Sequence, residues 1–204
     1  MNTLTRIEQR HLLILTNTSI LSKSMKQYIQ EMYQKNIIKT KLYESPCGTL
    51  LLGSFNNELC LCDWQVEKHR DHVNRRLKRV LQAEFEEGTS AVIEKAVVQL
   101  DEFFAGKRQA FNVPLLFTGT NFQKIVWNEL LKIPFGKTVS YREMAQHIGM
   151  PKAVRAVANA NGSNAISIFA PCHRVIGSDG SLTGYAGGLA AKKMLLELET
   201  AFLK

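Results

Sequence analysis

The chain has 204 residues, 45% hydrophobic and 22% charged, which is enough for one large domain or two small ones with real cores. No apolar run reaches the ~20 residues needed to cross a bilayer, and His11-Leu12-Leu13-Ile14-Leu15 is too short for a secretory core, so a cytoplasmic protein with no membrane attachment is expected. The net charge is +8, and residues 119–204 hold ten Lys and Arg against five Asp and Glu, an excess that suits a polyanion but that a merely basic soluble protein also shows.

Residues 1–36 read as an extension in which Met25, Tyr28, Ile29, Met32 and Tyr33 are spaced like one apolar helix face. From Ile37 the texture changes. Ile37–Tyr43, Thr49–Phe55 and Leu59–Val66 are strand candidates, punctuated by turns at Pro46-Cys47-Gly48 and Asn56-Asn57. A charged helix is expected over Lys68–Leu81, its Lys and Arg side chains more in keeping with a solvated face than with a nucleic-acid surface. A second helix follows over Ala91–Phe104 and ends at Gly106. Residues 37–118 therefore form an α+β unit with a small antiparallel sheet and no evident chemistry of its own.

The C-terminal unit, 119–204, is expected to be mostly helical. Thr120 with Gln123 and Ser140 with Glu143 are candidate capping boxes for helices over Asn121–Lys132 and Tyr141–Ile148. Gly149-Met150-Pro151 makes a turn, and Pro151 suits the first position of a further helix, Lys152–Asn161, closed by Gly162. Two short helices joined by a three-to-four-residue turn describe a helix-turn-helix. The second is rich in alanine and offers few long polar side chains, a smooth surface better suited to a minor groove than to reading the major groove. A buried Ala-rich helix has the same composition.

Of the four cysteines, Cys60 and Cys62 flank one residue of a strand, so their side chains are expected on one face, reduced and partly buried. A lone Cys-x-Cys pair is weak evidence for zinc, and no metal site is assigned. Cys172 differs. A strand-like apolar run, Ile166–Ala170, ends at Pro171, and Cys172, His173 and Arg174 follow in succession. That order supplies a thiol, a base and positive potential to lower the thiol's pKa, which is what a cysteine nucleophile requires. A glycine-rich loop comes next (Gly177, Gly180, Gly184, Gly187, Gly188, with Asp179 and Tyr185), then a helix over Ala190–Glu199. Glu199 is placed to reach back and orient His173, in the manner of a catalytic relay.

Pro171-Cys172-His173-Arg174-Val175 resembles the active-site signature of the O6-alkylguanine–DNA alkyltransferases, the methylated-DNA–protein-cysteine methyltransferases. The agreement extends through Ile133-Pro134-Phe135-Gly136, Val139-Ser140-Tyr141, Ala153-Val154-Arg155-Ala156-Val157, Asn161-Gly162-Ser163-Asn164 and Gly184-Tyr185-Ala186-Gly187-Gly188. It is strong over about residues 115–200, weaker over 42–112 and absent over 1–36.

The resemblance implies direct-reversal DNA repair. An alkyl group would pass from O6-alkylguanine in duplex DNA to Cys172, with O4-alkylthymine left open as a second substrate. The protein would be a monomeric, stoichiometric acceptor that binds the minor groove and flips the lesion, with no cofactor. By the same resemblance Tyr141 crowds the 3′ phosphate, Arg155 fills the vacated stack and Asn164 acts as a hinge. His173 works through a water and is oriented by Glu199. Tyr185 serves the purine N3, the carbonyls of Cys172 and Val175 take the guanine amine, and Lys192 lies near that site. Ala165 and Ser167 stand where many members carry prolines, and the zinc ligands of some members have no counterparts. A lesion sensor on this fold would lack Cys172, and a thiol redox enzyme would need a resolving cysteine, of which residues 119–204 hold none besides Cys172.

Overall fold

The computed structural model describes residues 22–25, 36–65 and 67–203. Its contacts divide the chain into residues 1–36 and 37–204. In the first, Lys23–Met25 forms a turn of helix; the apolar face expected over Tyr28–Tyr33 lies outside the described residues.

The second unit begins with a meander: β1 (Asn36–Ser45), β2 (Gly48–Phe55) and β3 (Glu58–Trp64). Asn56 and Asn57 both have positive φ, 48° and 64°, the backbone of a two-residue turn whose twist matches that of its strands. Helix α1 (Glu67–Leu81), strand β4 (Ala83–Glu87) and helix α2 (Ala91–Phe104) follow, and the sheet order is β3-β2-β1-β4. Strand β4 was not anticipated, because Ala-Glu-Phe-Glu-Glu has a charged texture and pairs only at the sheet's edge. Ile38, Leu50, Leu52, Leu61, Leu77, Ile93, Leu100 and Phe103 are fully buried in one core. Ser90 caps α2 through Ile93 N–H at 3.3 Å.

A register shift at Gly53/Ser54 places a bulge at Cys60, so the period-two argument that set Cys60 and Cys62 on one face does not apply there. Both are completely buried, not partly, and the Cys60 thiol donates to Gly53 O at 3.5 Å. Every residue of β3 after Glu58 is buried. Its outer edge is occupied: Leu59 exchanges backbone hydrogen bonds with Pro114 and Leu116, and Cys62 with Ala165 and Ser167, at 2.7–2.9 Å. The edge strand thereby holds the segment that leads into Cys172.

Helices α3 (Asn121–Leu130), α4 (Tyr141–His147), α5 (Val154–Gly162) and α6 (Gly188–Ala201) complete the fold with a short parallel pair, β5 (Val139–Ser140) and β6 (Val175–Ile176). The architecture is α+β, as expected. Both capping boxes form, at Thr120/Gln123 and Ser140/Glu143. A second core gathers Val126, Trp127, Leu130, Met144, Val157, Cys172 and Val175. Among the described residues no helix is long and apolar enough to cross a membrane.

Two local expectations are corrected. Pro151 is not the first residue of α5. Gly149, at φ +73°, ends α4 with Gly149 N→Gln146 O at 2.9 Å and Met150 N→Ala145 O at 2.8 Å, a Schellman closure. A further turn, Ala153 N→Met150 O at 2.8 Å, then delays α5 to Val154 and makes the connection six residues long. Nor is Ile166–Ala170 a strand. Only Ile166 bridges, to Cys62; Ile168 sits at φ +72° and Ala170 N returns to Ile166 O at 2.9 Å, which folds the run into a turn.

A Cβ on Gly53 would lie 2.9 Å from Leu61 Cβ and 3.3 Å from Ile38 Cγ2. Gly53→Val is therefore expected to destabilise the protein by about 1–3 kcal/mol through overpacking, read as a lower urea midpoint with an unchanged slope.

Candidate active site

Cys172 opens a single 3-10 turn, Cys172–Arg174, that runs straight into β6. The turn before it is held by Asn164, whose Nδ2 donates to Ala170 O at 2.9 Å and whose Oδ1 accepts from Ile166 N at 3.0 Å. Asn161, near the end of α5, donates through Nδ2 to Cys172 O and to Tyr141 Oη, both at 3.4 Å. The first turn of α4, the end of α5 and the cysteine backbone thus converge on one side chain.

Glu199 on α6 is fully buried. Its Oε1 lies 2.8 Å from His173 Nε2 and 2.9 Å from Arg174 Nη2; its Oε2 lies 3.0 Å from Arg174 Nε and accepts Gly136 N at 2.8 Å. Burial alone raises a carboxyl pKa, but the hydrogen bonds and charges of His173 and Arg174 outweigh it and hold Glu199 at about 2. Because an ionised carboxylate only accepts, the proton of a neutral His173 sits on Nε2. The Nδ1 lone pair is then free, and that atom is buried with no hydrogen-bond partner among the described residues. Burial lowers the His173 pKa from 6.5, with Arg174 and Lys192 adding to the fall and Glu199 opposing it, so the ring is an unprotonated base at neutral pH.

The expected thiol activation is corrected. Arg174 does not serve Cys172: its guanidinium is taken by Glu199 and by Ile133 O at 2.6 Å. Burial lifts the Cys172 thiol to about 11; Asn164, Lys192 and Ser167 pull it down, while the Asp63 carboxylate pushes it up. The cation near the thiol is Lys192, fully buried, with Nζ 2.6 Å from Val175 O and 2.9 Å from Thr183 O. Cys172 is a neutral thiol at pH 7 in this state, and its ionisation needs a base.

Tyr185 stands on the loop that leads into α6, itself half-buried, with its hydroxyl buried. Burial, then the Cys172 thiol, raise its pKa well above 10, so it remains a proton donor. Arg155, in the first turn of α5, is exposed, as are Ala156, Asn159 and Gly162 on the same helix face. Trp127 Nε1 ties α3 to α5 through Ala160 O at 2.8 Å. The structure therefore brings Cys172, His173, Glu199, Tyr185, Tyr141, Asn164, Val175 and Lys192 into one region and sets Arg155 on the outer surface. Sequence reasoning missed Asp63 and Trp64, which enter from β3 more than a hundred residues away, and no local pattern marked them. It also missed the bridging role of Asn161, although Asn161 stood within a noted motif. Among the described residues no group of three or more His, Cys, Asp or Glu side chains is placed to share a metal ion.

Because Glu199 ionises near 2 when folded and near 4.5 ordinarily, its contribution is complete above about pH 4.5 and is lost as pH falls towards 2. The urea midpoint is expected to drop across that window. Glu199→Gln should lack this component and be less stable at pH 7 by about 3–5 kcal/mol, because it leaves the Arg174 charge buried without its partner.

Residues 38–117 match the ribonuclease-like domain, and residues 121–201 the DNA-binding domain, of the 6-O-methylguanine DNA methyltransferases. A methylated-DNA–protein-cysteine methyltransferase of Mycobacterium bovis is 57% identical over 166 residues, covering 80% of this chain and 93% of that protein. One of Methanosarcina barkeri is 45% identical over 158 residues, covering 78% and 94%. The crystal structure of Mycobacterium tuberculosis OGT in complex with DNA superposes with a TM-score of 0.69 at 42% identity, over 81% of this chain and 94% of that one. On its sequence and its fold alike, this chain belongs to the methylated-DNA–protein-cysteine methyltransferase family.

Proposed function

We propose that the protein repairs DNA by moving the alkyl group of O6-alkylguanine onto Cys172, once per molecule. One observation carries the assignment of roles: a buried thiol directly precedes a histidine whose Nε2 is fixed by an ionised carboxylate and whose Nδ1 is unpartnered. A water between Nδ1 and the thiol takes the Cys172 proton to His173 as sulfur attacks the saturated carbon. The S–C bond forms as the C–O6 bond breaks, the electron pair passes to the guanine, and Tyr185 gives a hydrogen bond or proton to the purine N3. When Tyr185 gives its proton, His173 is left protonated and Tyr185 ionised; passage of that proton from His173 back to Tyr185 through water restores both groups, so the net change is one proton moved from sulfur to guanine. The product is a thioether, which water does not hydrolyse, so the acceptor is spent.

In this reading the base is flipped from the minor groove. The exposed Arg155 occupies the gap in the stack, Tyr141 presses on the adjoining phosphate, and the carbonyls of Cys172 and Val175 receive the guanine amine. Lys192 already donates to Val175 O, which leaves that oxygen a second lone pair. The protein acts as a monomer with a DNA-handling part, 119–204, joined to an α+β part, 37–118, and an extension, 1–36. The four free cysteines fit a reducing, cytoplasmic setting.

Incubation with a duplex containing O6-methylguanine is expected to add one methyl mass to the peptide carrying Cys172, and Cys172→Ala to abolish the gain. Methyl on Cys47, Cys60 or Cys62 instead would refute the assignment. Arg155→Ala should slow repair in duplex DNA at least tenfold while leaving reaction with free O6-benzylguanine within about twofold, since one lost contact of ~1.4 kcal/mol is a factor of ten. Equal losses on the two substrates would remove Arg155 from the flipping step.

A further inference from the structure

Two buried donors stand side by side without partners, and only one of them, the Tyr185 hydroxyl, has a role in the proposed transfer. Trp64, the last residue of β3, is 3% exposed, and its indole N–H has no hydrogen-bond partner among the described residues; the same is true of the Tyr185 hydroxyl. The two rings meet edge to face with centroids 5.8 Å apart. A buried polar hydrogen left unmade is costly, and such orphans gather where a ligand or a second state completes them.

The loop is shaped around this indole. A Cβ on Gly187 would lie 2.5 Å from Trp64 Cδ2 and Cε2, and one on Gly48 3.6 Å from Trp64 Cζ3. The backbone two residues beyond Tyr185 therefore rests on one part of the ring, at a distance only glycine permits, while the β1–β2 turn backs another. Trp64 cannot swing away without moving the loop, and the loop cannot close further without pressing on Trp64.

We propose that Trp64 is a positioning residue for Tyr185: its indole N–H donates to the Tyr185 oxygen when a base is bound, leaving the phenolic proton directed at the purine. This rests on the reading that Tyr185 serves the purine N3. A donor on the phenol oxygen stabilises the negative charge that develops there as the proton leaves, and so makes the hydroxyl a stronger donor. Burial and the Cys172 thiol raise the Tyr185 pKa; the Trp64 N–H, near the phenol but outside hydrogen-bond geometry in this state, already acts in the opposite direction. The sheet unit thereby contributes one side chain to chemistry carried out by the helical part.

The test is a double-mutant cycle read on the reaction with free O6-benzylguanine across pH 6–9. Trp64→Phe keeps an aromatic ring and removes the N–H; it is expected to slow alkyl transfer about three- to tenfold, the value of one hydrogen bond, with duplex affinity unchanged. Tyr185→Phe is expected to slow transfer by more, and Trp64→Phe to have no further effect in that background, nor to alter the pH profile there. If Trp64→Phe reacts like the unmodified protein, or if the two losses multiply, the positioning role is overturned. If Tyr185→Phe itself is without effect, the purine-N3 reading fails and this role falls with it. Transfer that fails in the unmodified protein would instead overturn the alkyltransferase reading as a whole.

Discussion

The buried carboxylate of Glu199 meets four donors from three residues in two parts of the chain: His173, two nitrogens of Arg174, and the backbone of Gly136. Those contacts tie helix α6 to the cysteine turn and to the Pro134-Phe135-Gly136 turn at once. A carboxylate removed from water survives only when its charge and its lone pairs are both met, so the site cannot relax without exposing a bare charge. The same pairing decides the tautomer of His173. An acceptor at Nε2 leaves Nδ1 as the basic atom, and from that follows the direction in which a thiol proton can travel.

The thiol itself is kept unreactive. Burial lifts Cys172 to about 11, and the neighbouring Asp63 carboxylate pushes the same way. A cysteine that reacts irreversibly gains from this. A permanently ionised thiolate would be open to any electrophile or oxidant, whereas a neutral one is ionised only when base and substrate are aligned around it. The base next to the cysteine in sequence is His173, with an unpartnered Nδ1, and the positive charge that follows it belongs to the scaffold, held by Glu199.

Strand β3 gives the scaffold its second constraint. As an edge strand it would expose unpaired backbone groups, yet both ends are used: Leu59 binds the 114–116 segment and Cys62 binds 165–167. The first contact anchors the connection into α3, and the second fixes the turn that delivers Cys172. Sheet and helices therefore share one frame, which is how Asp63 and Trp64 come to stand at a site whose other members all lie beyond residue 140.

Much of this was legible in the chain. Turn chemistry at Asn56-Asn57, the two capping boxes and the 3.6-residue periodicities located the main elements, because each depends on neighbours a few positions apart. The run Pro171-Cys172-His173-Arg174 marked the site for the same reason, and Glu199 lay at reach on the following helix. Tertiary structure decided the rest. It folded Ile166–Ala170 into a turn, because the run meets strand β3 at Cys62 alone and is otherwise held by Asn164 and by its own backbone. It gave Arg174 to Glu199 instead of to the thiol, and it brought Trp64 beneath Tyr185. Local pattern names the residues capable of the chemistry; burial and long-range pairing, which no short window contains, set their protonation and decide which of them meet.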